Sequence, residues 1–255
     1  VFWIPTMHTY DTLFFDYIQA GSGRSAKTVL PLVLAGLPTD SVLDVGCGAG
    51  AWLREYAALG IHDLLGVDGE YVRPEQLLIP SEHFLARNLA QPFDLGRRFD
   101  LVQCLEVAEH LSADYAATLV DNLIRHGDCV LFSAAVPGQG GEYHVNEQPY
   151  AYWRALFAAR GYRLFDWLRP QLRSRREVEP WYRYNLLLFV QDRHIPRLPP
   201  AIAATRIADT APVPDVAPLG DRLRKAVMRR LPSALLSPLA VIKHHLVIRL
   251  ARIRT

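Results

Sequence analysis

Cysteine is scarce. Cys47, Cys104 and Cys129 are the only three in 255 residues, each in or beside an apolar run, which argues against a disulfide framework and fits a reducing compartment. Long apolar runs are missing too: no uninterrupted stretch reaches the ~20 residues that a membrane span needs. The opening Val-Phe-Trp-Ile-Pro lacks the basic start and apolar core of a secretion signal. Net charge is small, +2, but unevenly distributed, because Gly220 to Thr255 holds nine Lys and Arg against the single acid Asp221. The rest of the chain is therefore net acidic, which argues against a nucleic-acid surface on the body and places any polyanion or membrane contact at residues 220–255. Together these absences predict a cytoplasmic, soluble protein, at most peripheral at the inner membrane surface.

What is present is an alternation. Residues 10–38 predict a helical cap, with Phe14, Phe15, Tyr17 and Ile18 ahead of Gly21-Ser-Gly-Arg-Ser25 and a second helix from Ala26 to Leu37. Strands follow at Ser41–Val45, Leu64–Asp68, His83–Ala86, Phe99–Cys104 and Cys129–Ser133, with helices at Ala51–Leu59, Pro74–Leu78 and His110–Arg125 between them. Strands alternating with helices imply a parallel sheet covered on both faces. A helix at Pro149–Arg160 and strands at Tyr162–Asp166 and Tyr184–Val190 predict an antiparallel pair closing one sheet edge. Six prolines between Ile195 and Leu219 break every pattern and read as a linker. The expected organisation is a cap (1–40), a core (41–192), a proline-rich linker (193–219) and a basic amphipathic helical tail (220–255). The tail has three candidate partners: an anionic membrane surface, the body of the protein, or a second copy in a homo-oligomer.

A strand ending at Asp44 is followed by Gly46-Cys47-Gly48, Gly50 and a helix, and the next strand ends at Asp68. Glycines let a ligand approach backbone closely, and a strand-end carboxylate accepts hydrogen bonds from ribose hydroxyls. A dinucleotide-binding dehydrogenase is the rival reading, but the turn lacks its third-glycine spacing. The stretch Val42-Leu-Asp-Val-Gly-Cys-Gly-Ala-Gly50 resembles the signature of class I S-adenosylmethionine-dependent methyltransferases, and Asp68 resembles the family's second motif. The resemblance implies a Rossmann-like α/β fold with a seven-stranded sheet and S-adenosyl-L-methionine as cofactor. It places Asp44 and Gly46 near the methionine part, Asp68 on the ribose and Asn88 near the adenine, where many members carry Asp. Cys47, Gly48, Gly69, Leu89 and Leu105 complete the cofactor candidates, and Arg24 is a candidate partner for the cofactor carboxylate.

The fourth strand leads into Leu105-Glu-Val-Ala-Glu-His-Leu111, so that Glu106, Glu109 and His110 share one face if that segment is helical. The glycine-rich loop Pro137-Gly-Gln-Gly-Gly-Glu-Tyr-His-Val-Asn-Glu147 can bring His144 to the same mouth. Two carboxylates and two imidazoles suit a divalent cation such as magnesium or manganese, which lowers the pKa of a substrate hydroxyl. The alternative is His110 or His144 acting as a general base without metal. This Glu-x-x-Glu-His pattern is similar to that of methyltransferases acting on small-RNA 3′ ends and of ubiquinone-pathway O-methyltransferases. The expected activity is O-methylation of a sugar hydroxyl in a bacterial glycan or glycosylated metabolite. The alternatives are a phenolic or polyketide acceptor, or a cofactor-binding scaffold without catalysis. Trp153, Trp167, Trp181, Tyr150, Tyr182 and Tyr184 are candidates either for sugar stacking or for core.

Overall fold

The computed structural model describes residues 12–230. The side chains of Phe14, Phe15, Tyr17 and Ile18, and the tail leucines from Leu231 onward, lie outside the described residues. Helix α1 (Thr12–Gly36) leads into β1 (Ser41–Val45), α2 (Ala51–Ala58), β2 (Asp63–Asp68), β3 (Phe84–Ala86) and β4 (Leu101–Leu105). Next come α3 (Ala116–His126), β5 (Cys129–Ser133), α4 (Tyr150–Ala158) and β6 (Tyr162–Phe165). The short helices α5 (Arg169–Leu172) and α6 (Pro180–Asn185) then precede β7 (Leu187–Gln191), α7 (Pro200–Ala203) and α8 (Leu219–Met228).

The seven strands form one sheet in the order β3-β2-β1-β4-β5-β7-β6. The first five pair in parallel, while β7 runs antiparallel to both β5 and β6. Strand order reverses between β1 and β4, and in open α/β sheets ligands bind outside the carboxyl ends of strands at such a switch point. Central strands are apolar on both faces, as covered parallel strands are. One face packs Val42, Leu101 and Leu131 against Leu30, Val33, Leu53 and Tyr56 of α1 and α2. The other packs Leu43, Val102 and Phe132 against Leu119 and Leu123 of α3 and Phe157 of α4, whose ring stacks on Phe189 at 4.0 Å. Burying each such side chain contributes about 1.5–3 kcal/mol.

Three expectations are corrected here. The cap is one continuous helix of 25 residues through Gly21-Ser-Gly-Arg-Ser25. Its glycines serve close packing, since a Cβ at Gly21 meets Glu179 Oε1 at 2.9 Å, and Ser25 Oγ donates within the helix to the Gly21 carbonyl at 2.8 Å. The proline-rich segment is an ordered strap along the β6 edge. Ile207 N donates to Leu164 O at 2.9 Å, Asp166 N donates to Thr205 O at 3.0 Å, and Ile202 is fully buried. Prolines open α7 and α8 rather than loosening the chain, consistent with their preset φ. The helix expected from His110 begins six residues later, at Ala116, after two 3-10 turns. The aromatic segment is largely core: Trp153, Trp167, Tyr150, Tyr182 and Tyr184 are buried, and Trp181 is partly so.

Candidate active site

At the cofactor end, the turn after β1 is fixed by Gly46 N and Cys47 N, which both donate to Val67 O at 2.7 and 3.4 Å. Gly46 has φ +83°, and a Cβ there would lie 2.3 Å from Val107, so no other residue fits. Gly48 also has positive φ, but a Cβ there meets nothing within 4 Å, so open space lies over the turn at this residue. Beside it, Asp68 accepts hydrogen bonds from Gly48 N at 2.6 Å and Gly69 N at 2.7 Å, and from the Tyr71 hydroxyl. Burial raises the Asp68 pKa, and these three donors counter the shift. Asp44 is buried at the end of β1, where burial, with Asp68 nearby, pushes its pKa up to about 7.

The other cofactor candidates divide by role. Asn88 is exposed after β3, with its side-chain oxygen accepting from Ala90 N at 3.0 Å. Leu89, Leu105 and the Cys47 side chain belong to the two cores. Arg24 is engaged elsewhere: it pairs with Glu179 at 2.9 Å, a partner that the sequence reading did not identify.

The second constellation sits at the end of β4. Glu106, Glu109 and His110 do not share a helical face. Glu106 takes φ +55°, unusual for a residue with a Cβ, with its amide donating to Ser133 O at 2.9 Å. Its carboxylate is thereby turned toward Gln139 Nε2 at 2.8 Å and Asn185 Nδ2 at 3.3 Å. Asn185 is itself buried and held by the Tyr150 hydroxyl at 2.9 Å. Glu106 is therefore engaged by Gln139 and Asn185 and does not join the compact group formed by the other three candidate ligands, although it stays close to Glu109.

Those three come together. Ligand atoms of Glu109, His110 and His144 all lie within 4.8 Å of one another, and the two imidazoles meet edge to face at 4.9 Å. The loop is drawn in by its backbone, because Val145 N and Asn146 N both donate to the Glu109 carbonyl, at 2.9 and 3.0 Å. Glu147, three residues beyond His144, accepts from Gly138 N and Gly140 N at 2.7 Å each and from His144 Nδ1 at 2.9 Å. Burial pushes Glu147 up, but the bonds from His144 and the two amides hold it below the ordinary carboxylate value. An ionised Glu147 fixes the proton of His144 on Nδ1 and leaves Nε2 as the lone-pair nitrogen. Both carboxylate oxygens of Glu109 are buried without a hydrogen-bond partner. Burial first, and the Glu106 charge second, raise its pKa well above the usual range. His110, at the solvent-facing lip, is lowered by lost hydration among its neighbours and by His144, so it is neutral at pH 7.

Sequence reasoning missed Gln139, Asn185, Tyr71 and Glu147 as partners in these arrangements. Glu147 and Tyr71 are local, at i+3 from His144 and Asp68; Gln139 and Asn185 meet Glu106 through the fold.

Residues 17–131 match the family model described as a methyltransferase domain, and that span covers the glycine turn, Asp68 and the Glu109–His110 pair. Over that span the chain is similar to methyltransferase domains. Among curated relatives, the chain is 35% identical over 137 residues to a ubiquinone biosynthesis O-methyltransferase from Aromatoleum aromaticum, covering 50% of this chain and 52% of that one. It is 29% identical over 167 residues to the protein of the same name from Ruegeria sp., covering 60% of each. The chain thus spans little more than half the length of these relatives. The sugar N-methyltransferase KedS8 from Streptoalloteichus shares the fold at 18% identity and a TM-score of 0.55, covering 75% of this chain and 99% of that one. DesVI from Streptomyces venezuelae does so at 16% identity and a TM-score of 0.51, covering 72% and 100%.

Proposed function

We propose that this chain transfers the methyl group of S-adenosyl-L-methionine to a hydroxyl that sits beside a second oxygen, in the first instance a sugar diol of a glycan or glycosylated metabolite. The observation that carries the reading is Glu109, whose two buried oxygens have no hydrogen-bond partner and lie beside two imidazoles. Burial favours the neutral acid in the free protein, and a divalent cation at Glu109, His110 and His144 would stabilise its charged form. With Glu106 engaged elsewhere, the donor set is one carboxylate and two nitrogens, which fits manganese better than magnesium. The cation, when bound, lowers the pKa of the acceptor hydroxyl and orients it.

The chain's own residues supply the rest. Asp68 holds the cofactor's ribose side beside the open space at Gly48, with Asp44 facing its methionine side. With the cation held at His110, the acceptor's proton leaves to solvent; in the metal-free alternative the neutral imidazole of His110 accepts it as the oxygen–methyl bond forms and the sulfonium–methyl bond breaks. A catechol acceptor is the second reading, favoured by the ubiquinone O-methyltransferases among the relatives.

The test is turnover of S-adenosylmethionine on nucleotide sugars, glycans and catechols, each with chelator and with added manganese or magnesium. Chelator-sensitive methylation of a diol is the expected result. Turnover indifferent to chelator overturns the cation, and no turnover on any acceptor overturns the activity.

A further inference from the structure

Helix α8 is amphipathic the wrong way round for a helix docked on a globular body. Leu219, Leu223 and Val227 fall at i, i+4 and i+8, one stripe of its surface, and are 79%, 68% and 52% exposed. The opposite face carries Lys225, buried and paired with Asp215 Oδ2 at 2.6 Å. The helix is firmly attached on that inner side. Arg224 donates to Gln139 O at 3.0 Å, Arg229 donates to Pro137 O at 2.7 Å, and a Cβ at Gly138 would lie 2.2 Å from the Lys225 carbonyl. The apolar stripe is therefore presented outward by a rigid mount.

Charge decides what fits the stripe. Arg222 and Arg224 are exposed on its two flanks, with Arg230 just past the end of the helix. Residues 231–255 add four Lys and Arg and no acid. A second copy brings the same basic rim against this one, and the chain's own tail brings more positive charge, so both are disfavoured by like-charge repulsion. An anionic bilayer is complementary to both parts: its acyl boundary takes the leucines and valine, and its headgroups take the arginines.

We propose that α8 is an anionic-lipid docking helix that seats the protein peripherally on a membrane surface. No described helix is long and apolar enough to cross a membrane, so the contact is interfacial. It adds to the function proposed above without depending on it.

The test is co-sedimentation of the full chain with vesicles of phosphatidylcholine alone and with a third phosphatidylglycerol. The expected result is binding to the anionic vesicles only, weakened by salt. The double variant Leu223→Glu/Val227→Glu alters two exposed side chains and leaves the inner contacts intact. It lowers partitioning roughly 30-fold or more, while Arg222→Gln lowers it about fivefold. Circular dichroism and binding of S-adenosylmethionine confirm that the variants are folded. Unchanged vesicle binding by the double variant overturns the proposal, as does failure of the native chain to bind. A concentration-dependent dimer that the double variant abolishes, without vesicle binding, assigns the stripe to a second copy and overturns it as well.

Discussion

The two halves of the site treat their buried carboxylates in opposite ways. Asp68 is answered by donors from its own neighbourhood, the amides of Gly48 and Gly69 and the Tyr71 hydroxyl. Glu109 makes no well-formed hydrogen bond, although the amides of Glu109 and Ala135 and the Glu106 carboxyl are near and two imidazoles lie within reach. A carboxylate already satisfied by backbone is pre-organised, so a ligand joins an existing arrangement. A carboxyl left unsatisfied is held neutral by burial in the free protein and gains most when a cation arrives. The difference teaches that one end is built for a ligand held by hydrogen bonds and the other for a charge.

The sharpest way to break the comparison is Glu109→Gln. The account expects kcat/KM to fall by about 10³, a loss near 4 kcal/mol, while the melting temperature of the free protein stays level because glutamine matches the neutral carboxyl that burial favours. Kinetics and thermal melts on one preparation check both halves. A fall in stability matching the fall in activity shows that Glu109 was a structural group. Asp68→Ala comes next. Removing a charged acceptor leaves two amides without their partner, and S-adenosylmethionine affinity should drop ~100-fold by calorimetry. An affinity within threefold of the native value removes Asp68 from the cofactor site.

Asp44 sharpens the comparison through pH. Its folded pKa of about 7 stands above the ordinary carboxyl value of 3.8 because burial disfavours the charge. The folded protein therefore holds a proton that the unfolded chain has released, and stability declines as pH rises from about 4 to 7, with the loss complete above that. Asp44→Asn should flatten this slope and raise the melting temperature at pH 8 by roughly 5 °C relative to the native chain, with little difference at pH 4.5. Parallel native and variant melting curves across that range contradict the assignment. Arg24→Ala carries the smallest effect. Its ion pair with Glu179 is more than half exposed on the arginine side, so stability changes by under about 1 kcal/mol and S-adenosylmethionine affinity is unaffected. A tenfold loss of affinity means that the guanidinium leaves Glu179 for the cofactor.

What was legible follows the same division. The glycine turn and Asp68 are local: a strand end, a tight turn and a helix lie within one short stretch, so residue type and spacing describe them nearly completely. The alternation of strands and helices, and the antiparallel edge, were legible for the same reason, since period and run length report burial directly. The Glu109 site is assembled from the end of β4 and the loop after β5, and its geometry depends on a left-handed Glu106 and on main-chain bonds from Val145 and Asn146. Spacing suggested three ligands on a helical face, with His144 brought to them by the loop. The backbone at Glu106 turned one of them toward Gln139 and Asn185, partners separated from it by 33 and 79 residues. Gly21 and Gly23 misled in the other direction: they read as a break, but Gly21 lies against Glu179 at the start of α6 and Gly23 against Arg54 of α2, and Ser22 between them bonds Tyr182 at 3.0 Å. Prolines in the strap were read as a linker because their role as helix starters depends on what the flanking residues pack against.

The most direct test of the central claim is titration of metal-free protein with manganese, followed by the electron paramagnetic resonance signal of the free ion. The account predicts one site per chain that Glu109→Gln abolishes and His144→Ala weakens, with Glu106→Gln weakening it far less. Stoichiometric binding that survives Glu109→Gln, or no binding by a protein that turns over fully in chelator, contradicts it.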